Sequence, residues 1–358
     1  MWLKKINLCL YNLHLCILYL SCLKFYMKYF FLAAVGIYLT IGIKAQDKHF
    51  SIHFIALPPE LSYYDNQFSG LQIANKKLYM MSESRLEDNR EPKLYAIDLA
   101  DINHYLKDTS FVLPFKKIVI HGLDSLRNKM EKDGQVYEGL EAFIIDKQTV
   151  YFSVETNTPS SYCYLLKGKI KNESIYLQPK FTAIRKPHKP GSPNIYNAGF
   201  EAMALIRNRV HAFFEYNYFN RNYVYSYDTS LKKNSKDSAL IDRLPFRITD
   251  ITPVGNNHFT AINFFYKGEG GDTVYRVSPG DTINNQLTKT QNSYHDYCRL
   301  IDINWSNKHF YWKPLWVFPK EYTGYNWEGI AAYNNGYFLT NDKYTLTRPY
   351  ASVLLYIK

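Results

Sequence analysis

Five stretches of the chain place an acid or small polar residue at the head of an apolar run. They are FSGLQIANKKLYMMSES from Phe68, YEGLEAFIIDKQTVYFSVE from Tyr137, FEAMALIRNRVHAFFE from Phe200, TDITPVGNNHFTAINF from Thr249 and WEGIAAYNNGYFLTND from Trp327. The leading polar positions are Ser69, Glu138, Glu201, Asp250 and Glu328. Each stretch turns and ends on a second polar group: Glu83, Glu155, Glu215, Asn263, and Asn341 with Asp342. Carboxylates and amide carbonyls are the hard oxygen donors that calcium prefers. Carboxylates crowded without partners raise one another's pKa, and a bound cation relieves the repulsion. If the five stretches converge, Glu138, Glu201, Asp250, Glu328, Asn263 and Asn341 are the expected metal ligands, with calcium the expected ion. Two other uses stay open. Acids heading strands also tie neighbouring backbone as structural staples, and a carboxyl pair can do acid/base work without metal. No catalytic residue is singled out.

Each stretch reads as strand, tight polar turn and strand. More strand-like sequence follows, at residues 93–98, 162–166, 223–227 and 274–277, and again at 115–120 and 311–318. Four strands per repeat describe a propeller blade. The leading positions are 49 to 78 residues apart, so some connections are long. Helical spacing is confined to residues 99–106 and 123–130. The expectation is an all-β propeller of four-stranded antiparallel blades. There are five blades, or six if residues 284–320 hide another. After the last stretch residues 352–357 give only a third strand, so residues 51–57 are expected to complete the final blade. That closes the ring and removes free sheet edges.

In such a ring the first strand of each blade lines the axis, which is why the leading acids are expected to meet. Composition agrees with strands: the chain has 33 Tyr and 22 Phe among 358 residues, and aromatic residues favour pleated surfaces. The net charge is +11, but residues 1–45 hold five lysines and no acid. The other basic residues are scattered and form no stripe of the kind a nucleic-acid groove needs.

Residues 1–45 read as an export segment. Met27-Lys28 supplies a start and a charge, residues 29–43 an apolar run, and Ala45 a small residue before Gln46. Met27 is then the true start. The alternative is a retained anchor at residues 6–23, which approach spanning length. The mature part, 46–358, is expected to be one exported propeller without a membrane span, placed in the periplasm, outside the cell or on its surface. Of five cysteines only Cys163 and Cys298 fall there. They could pair or remain buried thiols.

Weaker candidates are His211 and His258 beside strands, and His295-Asp296 in a loop-like patch. The GEGGD run at 268–272 lacks the Lys-Ser/Thr of a phosphate loop and reads as a turn. CxxC, HExxH and GxSxG are absent, which removes the usual zinc and serine-hydrolase readings.

The YEGLEAF…VYFSVE and WEGIAAY…GYFLTND hairpins, with FEAMAL…HAFFE between them, resemble secreted propellers of the SdiA-regulated and esterase-like phytase type. There a (D/F)EG(I/L)A strand heads successive blades. The likeness covers most of residues 68–357. It departs at Ser69-Gly70, Ala202 and Thr249-Asp250. The resemblance implies architecture and export but no particular reaction. The acid set is also similar in kind to the calcium-activated nucleotidases, or apyrases. That resemblance implies calcium-assisted hydrolysis of nucleoside di- or triphosphates. Two function classes follow: a metal-dependent hydrolase of phosphate or ester substrates, and a propeller that binds a small molecule or surface ligand at the channel mouth. Tyrosine-rich loops at 216–227 and 322–327 would serve the second.

Overall fold

Two-residue turns set the strand geometry. Asn75-Lys76, Asn172-Glu173, Arg207-Asn208, Asn307-Lys308 and Asn334-Asn335 all have positive φ. A turn with both central residues in that region matches the right-handed twist of its strands, and asparagine tolerates it through local hydrogen bonding. The apolar runs on either side are thereby held as antiparallel hairpins.

In the computed structural model, the described residues are 50–84, 91–187, 198–215, 224–233, 239–268, 280–291, 293–342 and 351–358. The expected export segment, the strand at 274–277 and the loop at 216–223 lie outside them. Residues His49–Lys358 form one compact unit.

Strand β1 (Ile52–Ile55) comes first. Blade I follows, with β2 (Phe68–Ala74), β3 (Lys77–Ser82), β4 (Lys93–Asp98) and β5 (Lys116–His121). Blade II has β6 (Tyr137–Asp146), β7 (Thr149–Thr156), β8 (Tyr162–Lys171) and β9 (Ser174–Arg185). Blade III has β10 (Ala202–Ile206), β11 (Arg209–Phe213) and β12 (Val224–Asp228), with Ala239 bridging to Val224. Next comes β13 (Leu240–Ile241), which pairs in parallel with the outer strand of blade IV. Blade IV has β14 (Arg247–Gly255), β15 (His258–Phe265), β16 (Tyr297–Ser306) and β17 (His309–Val317). Blade V has β18 (Trp327–Tyr333), β19 (Gly336–Asn341) and β20 (Leu354–Ile357), with β1 as its fourth strand.

The chain is therefore an all-β, five-bladed propeller. Residues 284–320 hide no sixth blade, because β16 and β17 complete blade IV. Ring closure is as expected: Ile52 pairs with Ile357 and Ile55 with Leu354. Helices occupy Leu99–Tyr105 and Leu123–Lys132, as their spacing predicts, and also the short segments Pro59–Ser62 and Thr282–Thr288, which the spacing did not reveal. The outer strands of blades I and II also pair in parallel, Val119 with Ser174, which fuses the two blades into one eight-stranded sheet.

The inner strands touch in rotation: β2 on β6, β6 on β10, β10 on β14, β14 on β18, and β18 back on β2. Apolar cores lie between successive blades. Met81, Leu94, Phe143 and Phe152 join blades I and II. Ala142, Leu165, Met203 and Phe214 join II and III. Ala204, Phe213, Phe259 and Ala261 join III and IV. Phe264, Leu300, Ile330 and Leu339 join IV and V. Leu71, Met80, Ala331 and Phe338 join V and I. Burying each of the Leu, Ile, Phe and Met side chains among them contributes roughly 1.5–3 kcal/mol. Cys163 and Cys298 are free thiols in two different cores, II/III and IV/V. Burial pushes the Cys163 thiol up to about 12 and raises that of Cys298 as well, so both are packing residues rather than nucleophiles.

Candidate axial acid site

A β-bulge heads four of the five inner strands. Phe68 pairs with Ser82 but Gly70 with Met81, which leaves Ser69 as the extra residue. Glu138 is extra between Tyr137 and Gly139, Thr249 between Ile248 and Asp250, and Glu328 between Trp327 and Gly329. Glu201 directly precedes β10. A bulge re-aims the side chain that carries it, so in these four blades the leading residue is turned out of the regular alternation of its strand. The glycine after it is a space requirement. A Cβ on Gly139 would lie 2.5 Å from Glu83 Cγ, and one on Gly329 2.8 Å from Leu71 Cγ.

This register corrects the sequence alignment in blade IV. The leading residue there is Thr249, and Asp250 stands where the other blades have Gly70, Gly139, Ala202 and Gly329. Asp250 is buried, and its carboxylate accepts three backbone N–H groups: Ile330 at 2.7 Å, Ile251 at 2.8 Å and Leu71 at 3.3 Å. It ties blades IV, V and I and is a staple. The hydroxyls do similar work. Ser69 donates to the Leu140 carbonyl, Ser153 to that of Phe200 and Thr249 to that of Trp327. Asn263 is also engaged: its amide donates to the Phe246 and Arg247 carbonyls and its oxygen accepts from Arg299 Nε. Asn341 Oδ1 accepts the Val353 N–H at 2.7 Å. Asp250, Asn263 and Asn341 thus spend their oxygens on the fold, against the expectation that they ligate metal.

The remaining acids converge. A second bulge, between Leu140 and Ala142, turns Glu141 inward as well. Carboxylate oxygens of Glu141, Glu155 and Glu201 all lie within 4.8 Å of one another, and all three residues are buried. Glu141 Oε1 and Glu155 Oε1 have no hydrogen-bond partner. Burial and then the negative charges of Glu83, Glu155, Glu201 and Glu328 hold the Glu141 carboxyl well above its ordinary range. Glu155 is raised by burial, Glu201 and Glu138, with Lys186 opposing. Glu201 is pushed up to about 7, mainly by burial, with Arg247 opposing. Glu138 is half-buried beside this group.

Arg247 holds the other side of the site. Its Nη1 lies 3.2 Å from Glu215 Oε2, and its Nη2 is 3.0 Å from Asn326 Oδ1 and 3.6 Å from Glu328 Oε1. Asn326 Nδ2 donates to Glu328 at 2.8 Å and to Asp342 at 3.2 Å. Glu328 is therefore placed at the site but already partnered. Burial and then Asp342 and Glu201 still raise its carboxyl. Of the six expected ligands, Glu201 joins the cluster, Glu138 and Glu328 flank it, and three serve as staples.

Glu141 and Arg247 were not singled out in the sequence. Glu141 is itself the extra residue of a second bulge, so strict alternation assigns it the wrong face. Arg247 precedes its stretch and carries no repeat signal. The donor set fits a hard cation: closely spaced carboxylate oxygens, two of them orphaned, with fewer cationic groups than acids around them. Elsewhere, Asp296 accepts the Lys267 N–H at 2.8 Å while His295 and His258 are exposed. Most of the GEGGD run lies outside the described residues.

No family model matches the chain, and no curated protein matches it. Among solved structures, it is 9% identical to a putative oxidoreductase (glucose dehydrogenase) from Thermus thermophilus, over 87% of this chain and 100% of that one, with a TM-score of 0.47. It is 8% identical to a GH43 β-xylosidase/α-arabinofuranosidase from a compost microbial metagenome, solved with xylotriose in a calcium-free form. There 85% of this chain and 94% of that one are covered, with a TM-score of 0.47. A bifunctional GH43-CE protein of Bacteroides eggerthii is 8% identical at a TM-score of 0.45, over 81% of this chain, which spans only 32% of that one. Likeness at this level carries no information on activity.

Proposed function

We propose that the protein is a calcium-binding β-propeller whose axial acids hold the ion and present it to an oxygen-rich ligand at the channel mouth. The observation that carries this reading is the convergence of Glu141, Glu155 and Glu201, with two buried oxygens left without partners. Those three residues would hold the ion, with Glu138 and Glu328 flanking it. Bound calcium would polarise a ligand oxygen that completes its coordination. The test is calorimetric titration of calcium into the metal-free protein, beside thermal unfolding with calcium and with chelator. A ligand of the native state raises the melting temperature. Glu141→Gln/Glu155→Gln is expected to weaken calcium binding at least tenfold. A wild-type protein indifferent to both calcium and chelator would sink the proposal.

Hydrolysis is a second reading, favoured by Glu201. A carboxyl pushed up to about 7 exchanges protons near neutral pH, as a general acid or base must. Phosphate and carboxylic esters are the substrates to screen, with and without calcium. Loss of roughly 100-fold in rate on Glu201→Gln is the expected outcome. Turnover indifferent to that change would remove Glu201 from the chemistry.

Export belongs to the same proposal, on the strength of the charged start at Met27-Lys28 and the apolar run after it. Among the described residues no helix is long and apolar enough to cross a membrane. N-terminal sequencing of the protein recovered from outside the cytoplasm should begin near Gln46; a chain beginning at Met1 or Met27 would reject cleavage.

A further inference from the structure

The hairpin turns of β10–β11 and β16–β17 lie at the end of the strands opposite the acid cluster. Between blades III and IV they border a cavity of about 330 Å³, lined in part by Arg207, Arg209, His211, Ser226, Trp305 and Lys308. We propose that this cavity is a binding site for a small phosphate monoester. The inference does not depend on the acid cluster or on calcium.

Charge gives the first argument. Three cationic side chains line the cavity, and no carboxylate does so among the described residues. A phosphate monoester carries about −1.5 to −2 at neutral pH, with oxygens that take parallel hydrogen bonds from an arginine fork. Arg209 is oriented for this by its Nε, which donates to Ser226 Oγ at 2.9 Å.

His211 gives the second. It is 3% exposed, and its Nδ1 has no hydrogen-bond partner. Its ring is fixed between Trp305, with centroids 5.2 Å apart, and Phe310, at 5.6 Å. Burial and then Arg209 push the imidazole down to about 4, so it is neutral at neutral pH and one ring nitrogen donates. The ring lines the cavity, so a phosphoryl group bound there would lie against a neutral imidazole.

Shape gives the third. The volume is at the lower end for small-molecule sites and exceeds what a bare ion needs. Ile206, Ala239 and Trp305 supply apolar wall for an organic group. The frame is stiff, since Arg207-Asn208 and Asn307-Lys308 are tight positive-φ turns and the Trp305 N–H is held by the Asn257 carbonyl at 2.8 Å.

The experiment is calorimetric titration of the whole chain at fixed ionic strength with phenyl phosphate, inorganic phosphate and phenol. Phenyl phosphate is expected to bind, inorganic phosphate at least tenfold more weakly, and phenol not at all. Arg207→Gln/Lys308→Gln should weaken phenyl phosphate at least tenfold while leaving the melting temperature of the ligand-free protein unchanged, which certifies the fold. His211 is followed by NMR, and its ring nitrogen resonances should move on saturation with phenyl phosphate. Absence of phenyl phosphate binding at millimolar concentration, or an unchanged affinity in the double variant, would overturn the site. Equal affinity for inorganic phosphate would overturn the monoester assignment.

Discussion

Arg247 and Glu215 form a buried ion pair between blades III and IV, with Nη1 and Oε2 3.2 Å apart and both side chains at most 9% exposed. Glu215 is raised by burial and by Glu201, and Arg247 opposes that shift. The pair therefore belongs to the site's charge balance as well as to the ring. Removing one partner of a buried pair leaves an uncompensated charge.

Arg247→Gln is accordingly expected to cost about 3–5 kcal/mol in chemical denaturation. The double variant Arg247→Gln/Glu215→Gln should recover part of that loss. Equal stabilities for the wild type and the single variant would show that the pair contributes nothing.

Asp250 and Glu141 separate staple from ligand. Asp250→Ala leaves the Ile330 and Leu71 N–H groups unpaired, at roughly 1–3 kcal/mol each. Calcium affinity per folded molecule should stay within about twofold. Glu141→Gln should do the reverse, weakening calcium with little loss of fold. Calorimetry and denaturation on both variants decide the assignment.

The acid cluster makes stability depend on pH. Glu201 is raised from the ordinary 4.5 to about 7 and Glu141, Glu155 and Glu215 are raised as well. A carboxyl raised in the folded state binds its proton more tightly there than in the unfolded chain. Its contribution is complete below the unfolded value and is lost as pH rises through the folded one. The metal-free protein should therefore lose stability between about pH 4.5 and 7, and calcium should restore it, since ligation requires the ionised form. Calcium uptake should release protons, measurable as a buffer-dependent heat. A metal-free melting temperature flat across that window would contradict the arrangement.

Gly139 tests the space requirement. An alanine there meets Glu83 Cγ at 2.5 Å and Oε1 at 2.9 Å. Overpacking of this kind costs typically 1–3 kcal/mol, and displacement of Glu83 should also weaken calcium binding. A Gly255→Ala control, with nothing nearer than 4.0 Å, should be close to neutral.

Much of the ring was legible because its repeat is physical. An aromatic residue, a polar residue and a small residue recur at the start of four of the five inner strands, three of them bulged, and β1 was found by asking what completes blade V. Asp250 was misplaced by one residue because the Thr249-Asp250 pair offers two polar groups, and only the bulge between Ile248 and Asp250 shows which one leads. Glu141 stayed hidden for a related reason: its second bulge breaks the two-residue period by which strand faces are read. Asn263 and Asn341 have ligand-type oxygens, and nothing in a linear sequence shows that backbone N–H and arginine groups already occupy them. The irregular repeat length comes from inserted helices and long connections outside the blades.

The parallel pairing of β5 with β9 makes the five sectors mechanically unequal. Blades I and II are joined at the rim by backbone hydrogen bonds as well as by packing. Among the described residues blade III has three strands and a single bridge at its outer edge, beyond which β13 joins the rim of blade IV in the same parallel manner. Glu155 lies near the end of β7 in blade II, while Glu201 directly precedes β10 of blade III. The rim strands therefore couple the wheel as I with II and III with IV, and Glu155 and Glu201 meet across the seam between those two couples.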